Sequence, residues 1–263
     1  MFSILKSSFV ASGFLLLSHF PALAQLEQSP IDLSADDSIF TDSISLSEQD
    51  FGYGNNITLN LVNTGSPDLE ATINANPNTP NNTFTFNGEL YNLLQFHFHT
   101  PSEHLLNGQE FPLELHLVHQ STEDDLLVIG SFIKEGDFNP LLDSIFSNLP
   151  ENGEPDVTIN NFNLSALLPS SLDSFQYQGS LTTSPFTEGV QWVVLNEVLE
   201  MSSSQIEAFQ ALFPADNSRE IQPLNDRIVQ TDVQNVATVP EPTTVLGLLA
   251  FGGTGLLTSK KKR

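Results

Sequence analysis

The chain contains no cysteine, and this absence limits the chemistry that its sites can use. Without cysteine there is no disulfide bond and no thiolate ligand for a metal ion. Any metal must therefore be held by nitrogen and oxygen atoms. The sequence also lacks a dinucleotide-binding glycine motif and a phosphate loop, so no nucleotide site is indicated.

Basic residues are scarce, and most of them lie at the two ends of the chain. The 263 residues include 8 Lys and Arg against 32 Asp and Glu. Between residues 25 and 238 only Lys134, Arg219 and Arg227 are basic, which leaves a net charge of about −28. Such a surface repels nucleic acid and anionic lipid, so no nucleic-acid partner is expected. A merely well-solvated surface explains the charge at least as well as a functional use.

Residues 1–24 have the pattern of a secretory signal peptide. Lys6 provides the positive start, Phe9–Leu17 the apolar stretch, and Ala22–Ala24 the small-residue cleavage site. The apolar stretch is short for a membrane span, although an uncleaved anchor is the alternative. We therefore expect export of a domain covering residues 25–238 to the periplasm or to the cell surface.

Residues 239–263 form a separate tail, in which Val239–Pro242 is followed by the apolar run Thr243–Leu257 and by the basic end Lys260–Arg263. This pattern resembles the PEP-CTERM sorting signal of bacterial exported proteins. The resemblance implies an exosortase-type processing enzyme as a partner, with the tail in the membrane before processing. The alternative is a plain tail anchor through residues 243–259.

Apolar patterning predicts a domain built mainly from strands, which favours a β-dominated α+β class. Leu93–His99 and Pro112–Gln120 alternate with period two, as neighbouring strands of a sheet do. Asn139 is expected to cap the first helix, and Ser204 with Glu207 the second. The other predicted elements are the strands Ile57–Val62, Thr83–Phe86, Leu126–Ile133 and Val190–Leu195, a turn at Gly179–Thr183, and the helices Pro140–Asn148 and Ser204–Phe213.

Five of the six histidines lie between His97 and His119, and the sixth, His19, lies in the expected signal peptide. Residues two apart in a strand share a face. Gln95, His97 and His99 therefore point one way, and the two intervening phenylalanines point into a core.

The second strand carries a matching face formed by Glu114, His116 and Val118. Antiparallel pairing of the two strands brings His97, His99 and His116 together. Three neutral imidazoles with an open fourth position suit a tetrahedral Zn²⁺ site.

Two polar residues on these faces support a metal site. Gln95 and Glu114 each lie two positions from a proposed ligand and can accept the second ring proton of an imidazole. For His104 and His119 a structural hydrogen-bonding role is favoured over metal ligation. The alternative for the whole cluster is a set of core histidines or a non-catalytic metal site.

Several motifs resemble those of the α-class carbonic anhydrases from about Gln28 to Val229, nearly the whole exported domain. They are Gln28–Asp32, Gln95–His99, Ser102–His104, Glu114–His119, Gly179–Pro185 with Trp192, and Gln222–Asn225. The resemblance implies a single domain around a large, twisted, mainly antiparallel sheet with short peripheral helices. It also implies a lyase that interconverts CO₂ and bicarbonate.

The resemblance assigns roles to particular residues. His97, His99 and His116 would hold zinc, whose bound hydroxide attacks CO₂. Thr182 would accept the hydrogen bond from this hydroxide, and Glu103 would accept the proton of Thr182. The substrate pocket would consist of Val118, Val128, Leu181, Thr183 and Trp192, although ordinary core packing also explains its aliphatic members.

The sequence departs from the family pattern at two places. The histidine that carries protons to buffer is replaced in Asn63–Ser66 by Ser66, and only imidazole titrates near pH 7 without a shift. The aromatic-rich segment that normally precedes Gln28 is reduced to Gln25–Glu27. We therefore expect proton transfer to limit turnover.

Two other functions use the same residues. A catalytically weak or inactive surface binding protein could keep this fold as a scaffold, and the two departures would fit it. A zinc esterase or hydrolase would use the same hydroxide on another carbonyl. The intact metal, Thr182 and Glu103 positions argue against a pure scaffold.

Overall fold

The computed structural model describes residues 27–63, 73–77, 82–212 and 215–234. The predicted signal peptide, the C-terminal tail and Ser66 lie outside these residues. Within them, no helix is both long enough and apolar enough to cross a membrane.

Short strands dominate the described structure, as expected. The strands are β1 (Asp32–Leu33), β2 (Ile39–Phe40), β3 (Phe51–Gly52), β4 (Ile57–Asn63), β5 (Ile73–Pro77), β6 (Thr83–Phe86), β7 (Glu89–His99), β8 (Leu105–Leu106), β9 (Leu113–Ser121), β10 (Leu126–Glu135), β11 (Val157–Phe162), β12 (Ser174–Ser180), β13 (Glu188–Met201) and β14 (Gln230–Thr231). The α-helices are α1 (Pro140–Phe146) and α2 (Ser203–Gln210), and 3₁₀ turns cover Asp42–Ile44, Glu48–Asp50 and Leu164–Leu167.

Twelve strands form one large sheet in the order β11-β4-β5-β7-β9-β10-β13-β12-β14-β2, with β6 and then β3 attached beside β7. Most neighbours are antiparallel, but β10 and β13 are parallel, as are β14 and β2. The mixed sheet with few short helices confirms the predicted fold class. β7, β9, β10 and β13 lie side by side in its interior, where they can present a shared surface.

Both faces of the central strands are buried. On one face the cluster that contains Phe96, Phe98, Leu115 and Leu117 packs with residues of the two helices. On the other face a smaller cluster is built around Trp192. The central strands are therefore held rigidly from both sides.

The helix at residue 140 begins as predicted, because Asn139 accepts a hydrogen bond from Leu142 N and Pro140 occupies the first turn. The predicted N-cap of the second helix, Ser204 with Glu207, was wrong by two residues. The reciprocal capping box is formed by Ser202 and Gln205. Gln205 is buried and also binds the backbone of Asn139, so contact with the first helix determines this start.

The predicted turn at Gly179–Thr183 is also corrected. Gly179 and Ser180 belong to β12 and pair with Val190 and Glu188 of β13. A Cβ atom at position 179 would collide with the hydroxyl of Ser29. Glycine is present here because another segment approaches closely and not because the chain turns.

Candidate metal centre

β7 and β9 place the three predicted ligands at one point. They pair antiparallel, with His97 opposite His116 and His99 opposite Glu114. All four side chains are buried. The predicted pairing of the two strands is thus confirmed.

A bulge in β7 places Gln95 on the same face as His97 and His99. The sequence pattern did not predict this bulge. Leu93 pairs with His119 but Gln95 pairs with Val118, so Leu94 is an extra residue in the strand. The extra residue reverses the alternation of faces. Leu93 consequently shares a core with Phe96, while Gln95 turns toward the histidines.

Hydrogen bonds determine which nitrogen of each ring carries the proton. His97 Nδ1 lies 2.8 Å from Gln95 Oε1, and His99 Nδ1 lies 2.7 Å from the carbonyl oxygen of Asn217. His116 Nε2 lies 3.0 Å from Glu114 Oε1. Because each partner atom is an acceptor, each of these nitrogens is the one that donates.

The other nitrogen of each ring keeps its lone pair, and the three lone pairs face one another. These nitrogens lie within 4.8 Å of one another, and the Nε2 atoms of His97 and His99 are 3.0 Å apart. Two acceptors at that distance repel unless a cation lies between them. Tetrahedral zinc with Zn–N bonds of about 2.0–2.1 Å separates its donors by about 3.3 Å. The donor set therefore fits zinc.

The surroundings shift the pKa of each ligand. Burial, with the neighbouring His99 and His116, holds the pKa of His97 well below its usual value. Burial also lowers the pKa of His99. Burial alone would lower the pKa of His116, but the charge and hydrogen bond of Glu114 outweigh it and raise the value.

Glu114 connects the site to the chain around it. Its carboxylate accepts hydrogen bonds from His104 Nδ1 at 2.7 Å and from the backbone N–H groups of Glu103 and His104 at 2.9 and 2.8 Å. Burial would raise its pKa, but His104 and His116 hold the pKa well below its usual range. Gly130 leaves it room, since a Cβ there would lie 3.0 Å from Glu114 Oε1.

The two remaining histidines have hydrogen bonds at both ring nitrogens. His104 lies between Glu114 and the Tyr177 hydroxyl, which is 2.7 Å from its Nε2. His119 donates to the Leu117 carbonyl and accepts from the Tyr53 hydroxyl at 2.7 Å. Burial lowers the pKa of His119 to about 3. His104, Glu114 and His116 also each place one potential ligand atom within 4.8 Å of the others. Both ring nitrogens of His104, however, are already engaged in hydrogen bonds.

Glu103 lies beside the ligands, but the expected hydrogen bond from Thr182 is absent from the described structure. Glu103 Oε1 accepts from Arg219 N at 2.9 Å. Its buried Oε2 has no hydrogen-bond partner and lies 3.5 Å from His99 Nε2 and 3.8 Å from His116 Nδ1. An orphaned carboxylate oxygen beside two of the three imidazoles is a second feature that fits a cation.

Three of the five predicted pocket residues, Val118, Val128 and Trp192, lie in one row across the sheet. Gln95 pairs with Val118, Val118 with Val128, and Val128 with Trp192, on four neighbouring strands. Val118, Val128 and Trp192 are buried in one cluster, and half-buried Leu181 packs against it. The His116 and Trp192 rings are 4.9 Å apart. Thr182 is buried and Thr183 half-buried in the loop after β12.

Asn217, Tyr177 and Arg219 contribute to the site but were not predicted. Asn217 reaches His99 across 118 residues of sequence, and its side chain also binds the backbone at Thr100 and Phe98. No local period or spacing marks such a residue. Only an alignment of related sequences or the structure itself could have identified it.

Comparison with known proteins agrees with this geometry. Residues 17–233 match the model of the family described as eukaryotic-type carbonic anhydrase. A carbonic anhydrase of Nostoc sp. is 40% identical over 214 residues, which cover 79% of this chain and 77% of the relative.

Solved structures share the fold. The α-carbonic anhydrase of Photobacterium profundum superposes with a TM-score of 0.69 at 34% identity, covering 79% of this chain and 90% of that one. Dioscorin complexed with ascorbate gives a TM-score of 0.67 at 29% identity, covering 78% and 85%. The chain therefore belongs to the eukaryotic-type, or α-class, carbonic anhydrase family. Its enzyme class is that of carbonic anhydrase.

Proposed function

We propose that this protein catalyses the reversible hydration of CO₂ to bicarbonate and a proton, with zinc held by His97, His99 and His116. One observation carries the proposal: three imidazole lone pairs converge beside a row of apolar side chains. Bound zinc lowers the pKa of its water to about 7 and so supplies a nucleophile at neutral pH.

The chain's own residues prepare the ligands. Gln95, Asn217 and Glu114 each accept a hydrogen bond from one ring N–H, which turns the other nitrogen of that ring toward the proposed metal position. The pKa of His97 and of His99 is lowered, which keeps these two rings neutral at pH 7. Little reorganisation is then needed on metal binding.

Substrate binding is assigned to the apolar row. Val118, Val128, Leu181 and Trp192 form one apolar cluster, which suits a neutral and nonpolar molecule such as CO₂. Thr182 is proposed to orient the nucleophile through its hydroxyl, and Glu103 Oε2 to accept the Thr182 proton when the site is loaded. Thr183 would contact bicarbonate.

Proton transfer to the solvent is proposed to limit turnover. All five histidines in residues 25–238 are buried, so none is placed to exchange protons with buffer. Ser66, at the family's shuttle position, cannot substitute for imidazole. Stopped-flow CO₂ hydration should therefore accelerate as imidazole buffer is added. A maximal rate that does not respond to imidazole would refute this part of the proposal.

The second candidate is a zinc-bound surface protein without catalysis. The similarity of fold to dioscorin keeps it open, since that structure is described as a complex with ascorbate. The presence of both Thr182 and Glu103 favours the enzyme, because a scaffold has no need of residues that orient a zinc-bound hydroxide.

The deciding experiment measures zinc content and CO₂ hydration together in the wild type, His97→Ala and His119→Gln. Both substitutions remove a buried histidine, but only the first removes a proposed ligand. We expect His97→Ala to lose zinc and activity, while His119→Gln keeps stoichiometric zinc. Wild-type protein that binds zinc without hydrating CO₂ would support the scaffold.

Export remains a proposal based on the two ends of the sequence. Residues 1–24 would direct secretion, and residues 239–263 would be recognised by an exosortase-type enzyme or remain as an anchor. The mass of the mature protein from the native host distinguishes these outcomes.

A further inference from the structure

A loop between β12 and β13 carries both proposed active-site threonines. It is closed by backbone hydrogen bonds from Leu181 N to Thr187 O at 2.9 Å and from Phe186 N to Thr183 O at 2.8 Å. Phe186 has a φ of 59°, in the left-handed region that bulky side chains rarely adopt. Such a conformation persists only where surrounding contacts hold it, and it clusters at functional sites.

Arg219 provides those contacts. Its guanidinium carbon lies 3.8 Å from the centre of the Phe186 ring. Its Nη1 donates to the Ser29 carbonyl at 2.7 Å, and its Nη2 donates to Gln28 Oε1 at 2.9 Å. Gln28 Nε2 in turn donates to the Phe186 carbonyl at 3.2 Å. The strained residue is thus held by its ring and by its carbonyl.

The same arginine reaches the metal centre through its backbone. Arg219 N donates to Glu103 Oε1 at 2.9 Å, which turns the other carboxylate oxygen toward His99 and His116. One residue therefore connects Glu103 with the loop that bears Thr182.

We propose that Arg219 is a positioning residue whose guanidinium, stacked on Phe186, holds the Leu181–Thr187 loop in place for catalysis. The proposal rests on the proposed function, because the loop matters through Thr182 and Thr183. Lysine cannot replace this group, because it lacks the planar fork that stacks on a ring while donating in two directions. The attraction of a cation to the ring face adds to the specificity.

Arg227 offers a matched control. Its guanidinium also donates to main-chain carbonyls, at Leu224, Gln178 and Pro223, and lies 5.6 Å from the Tyr177 ring. None of these contacts involves the Leu181–Thr187 loop. Arg227→Lys therefore removes an equivalent guanidinium without changing the contacts of Arg219 with Phe186, Ser29 and Gln28.

The first test measures amide hydrogen exchange and does not depend on catalytic activity. In metal-free protein we expect Arg219→Lys and Phe186→Leu each to speed amide hydrogen exchange at Leu181 and Phe186 by at least about tenfold. Arg227→Lys should leave both amides unchanged, and the double variant should resemble either single variant. Unchanged exchange in Arg219→Lys, or a rise spread equally over the amides of β9, would overturn the proposal.

The second test separates positioning from general destabilisation. With zinc at wild-type content, Arg219→Lys and Phe186→Leu should lower kcat/KM by about tenfold to a hundredfold, since a small misplacement of reacting groups costs that much. The loss in kcat should be smaller, because proton transfer and not the positioning of these groups is proposed to limit turnover. Arg227→Lys should stay near wild-type rates. A wild type that binds zinc but does not hydrate CO₂ refutes the proposed function, while the exchange result still decides whether Arg219 holds the loop.

Discussion

Five buried histidines share one short window, yet their partners give them different chemistry. His97 and His116 face each other across two strands, but the pKa of the first is lowered and that of the second is raised. The difference comes from the partner of each ring, because Gln95 is neutral and Glu114 is charged. His119 is held neutral by burial and binds Tyr53. At this scale the acceptor beside each ring determines its role.

Glu114 should therefore control zinc affinity. We expect Glu114→Gln to weaken zinc binding by about 10–100-fold, as is typical when the partner of a ligand is lost. The amide cannot accept from His104, His116 and two backbone N–H groups in the way that the carboxylate does. Chelator competition measures the change, and exposed Glu110→Gln serves as control. Equal affinity in both variants would contradict the assignment.

The two faces of the β7–β9 strand pair have different roles, one in the proposed metal site and the other in the hydrophobic core. One face of each strand carries the proposed ligands His97, His99 and His116, and the other carries phenylalanine and leucine residues in the core. The bulge at Leu94 lets Leu93 share that core with Phe96. The metal centre and the core are thus built from alternate residues of the same strands.

Removing a side chain from the core face should change stability but not metal binding. We expect Leu115→Ala, at a fully buried position, to lower the free energy of unfolding by about 2–5 kcal/mol. Leu94→Ala, at a position with 45% exposure, should stay within about 0.5 kcal/mol of wild type. Urea unfolding measures both, and zinc content should remain stoichiometric. Loss of zinc in Leu115→Ala would show that the two faces are coupled.

The whole molecule carries a large negative charge with few positive charges to offset it. The three basic residues of the domain all make intramolecular contacts. Lys134 pairs with Glu200 at 3.0 Å, and Arg219 and Arg227 bind main-chain carbonyls. Self-repulsion between the acidic residues therefore opposes the compact state.

Salt should stabilise this protein by screening that repulsion. Raising NaCl from 10 to 150 mM shortens the Debye length from about 30 to about 8 Å. We expect the thermal midpoint to rise at pH 7.5, by roughly 2–4 °C for each kcal/mol of repulsion relieved. The rise should shrink at pH 4.5, near the isoelectric point of about 4.2. A salt effect of equal size at both pH values would argue against self-repulsion.

Local sequence patterns anticipated a large part of the fold. The alternation in Leu93–His99 and Pro112–Gln120 predicted two paired strands. In the structure the first is longer, at Glu89–His99, and the second is shifted by one residue, to Leu113–Ser121. The errors arose where tertiary contact overrides a local signal. Gly179 looked like a turn but accommodates Ser29, and the second helix starts at Ser203 because Gln205 binds the preceding helix.

The sequence by itself determined the kind of chemistry, because the absence of cysteine and the period-two spacing of histidine leave an imidazole metal site on a strand face. Only the tertiary structure decided which proton each ring keeps and what holds the threonine loop. Asn217 and Arg219 reach the site from more than 110 residues away. Contacts between segments so distant in sequence leave no periodic trace, since they depend on how the sheet brings the segments together.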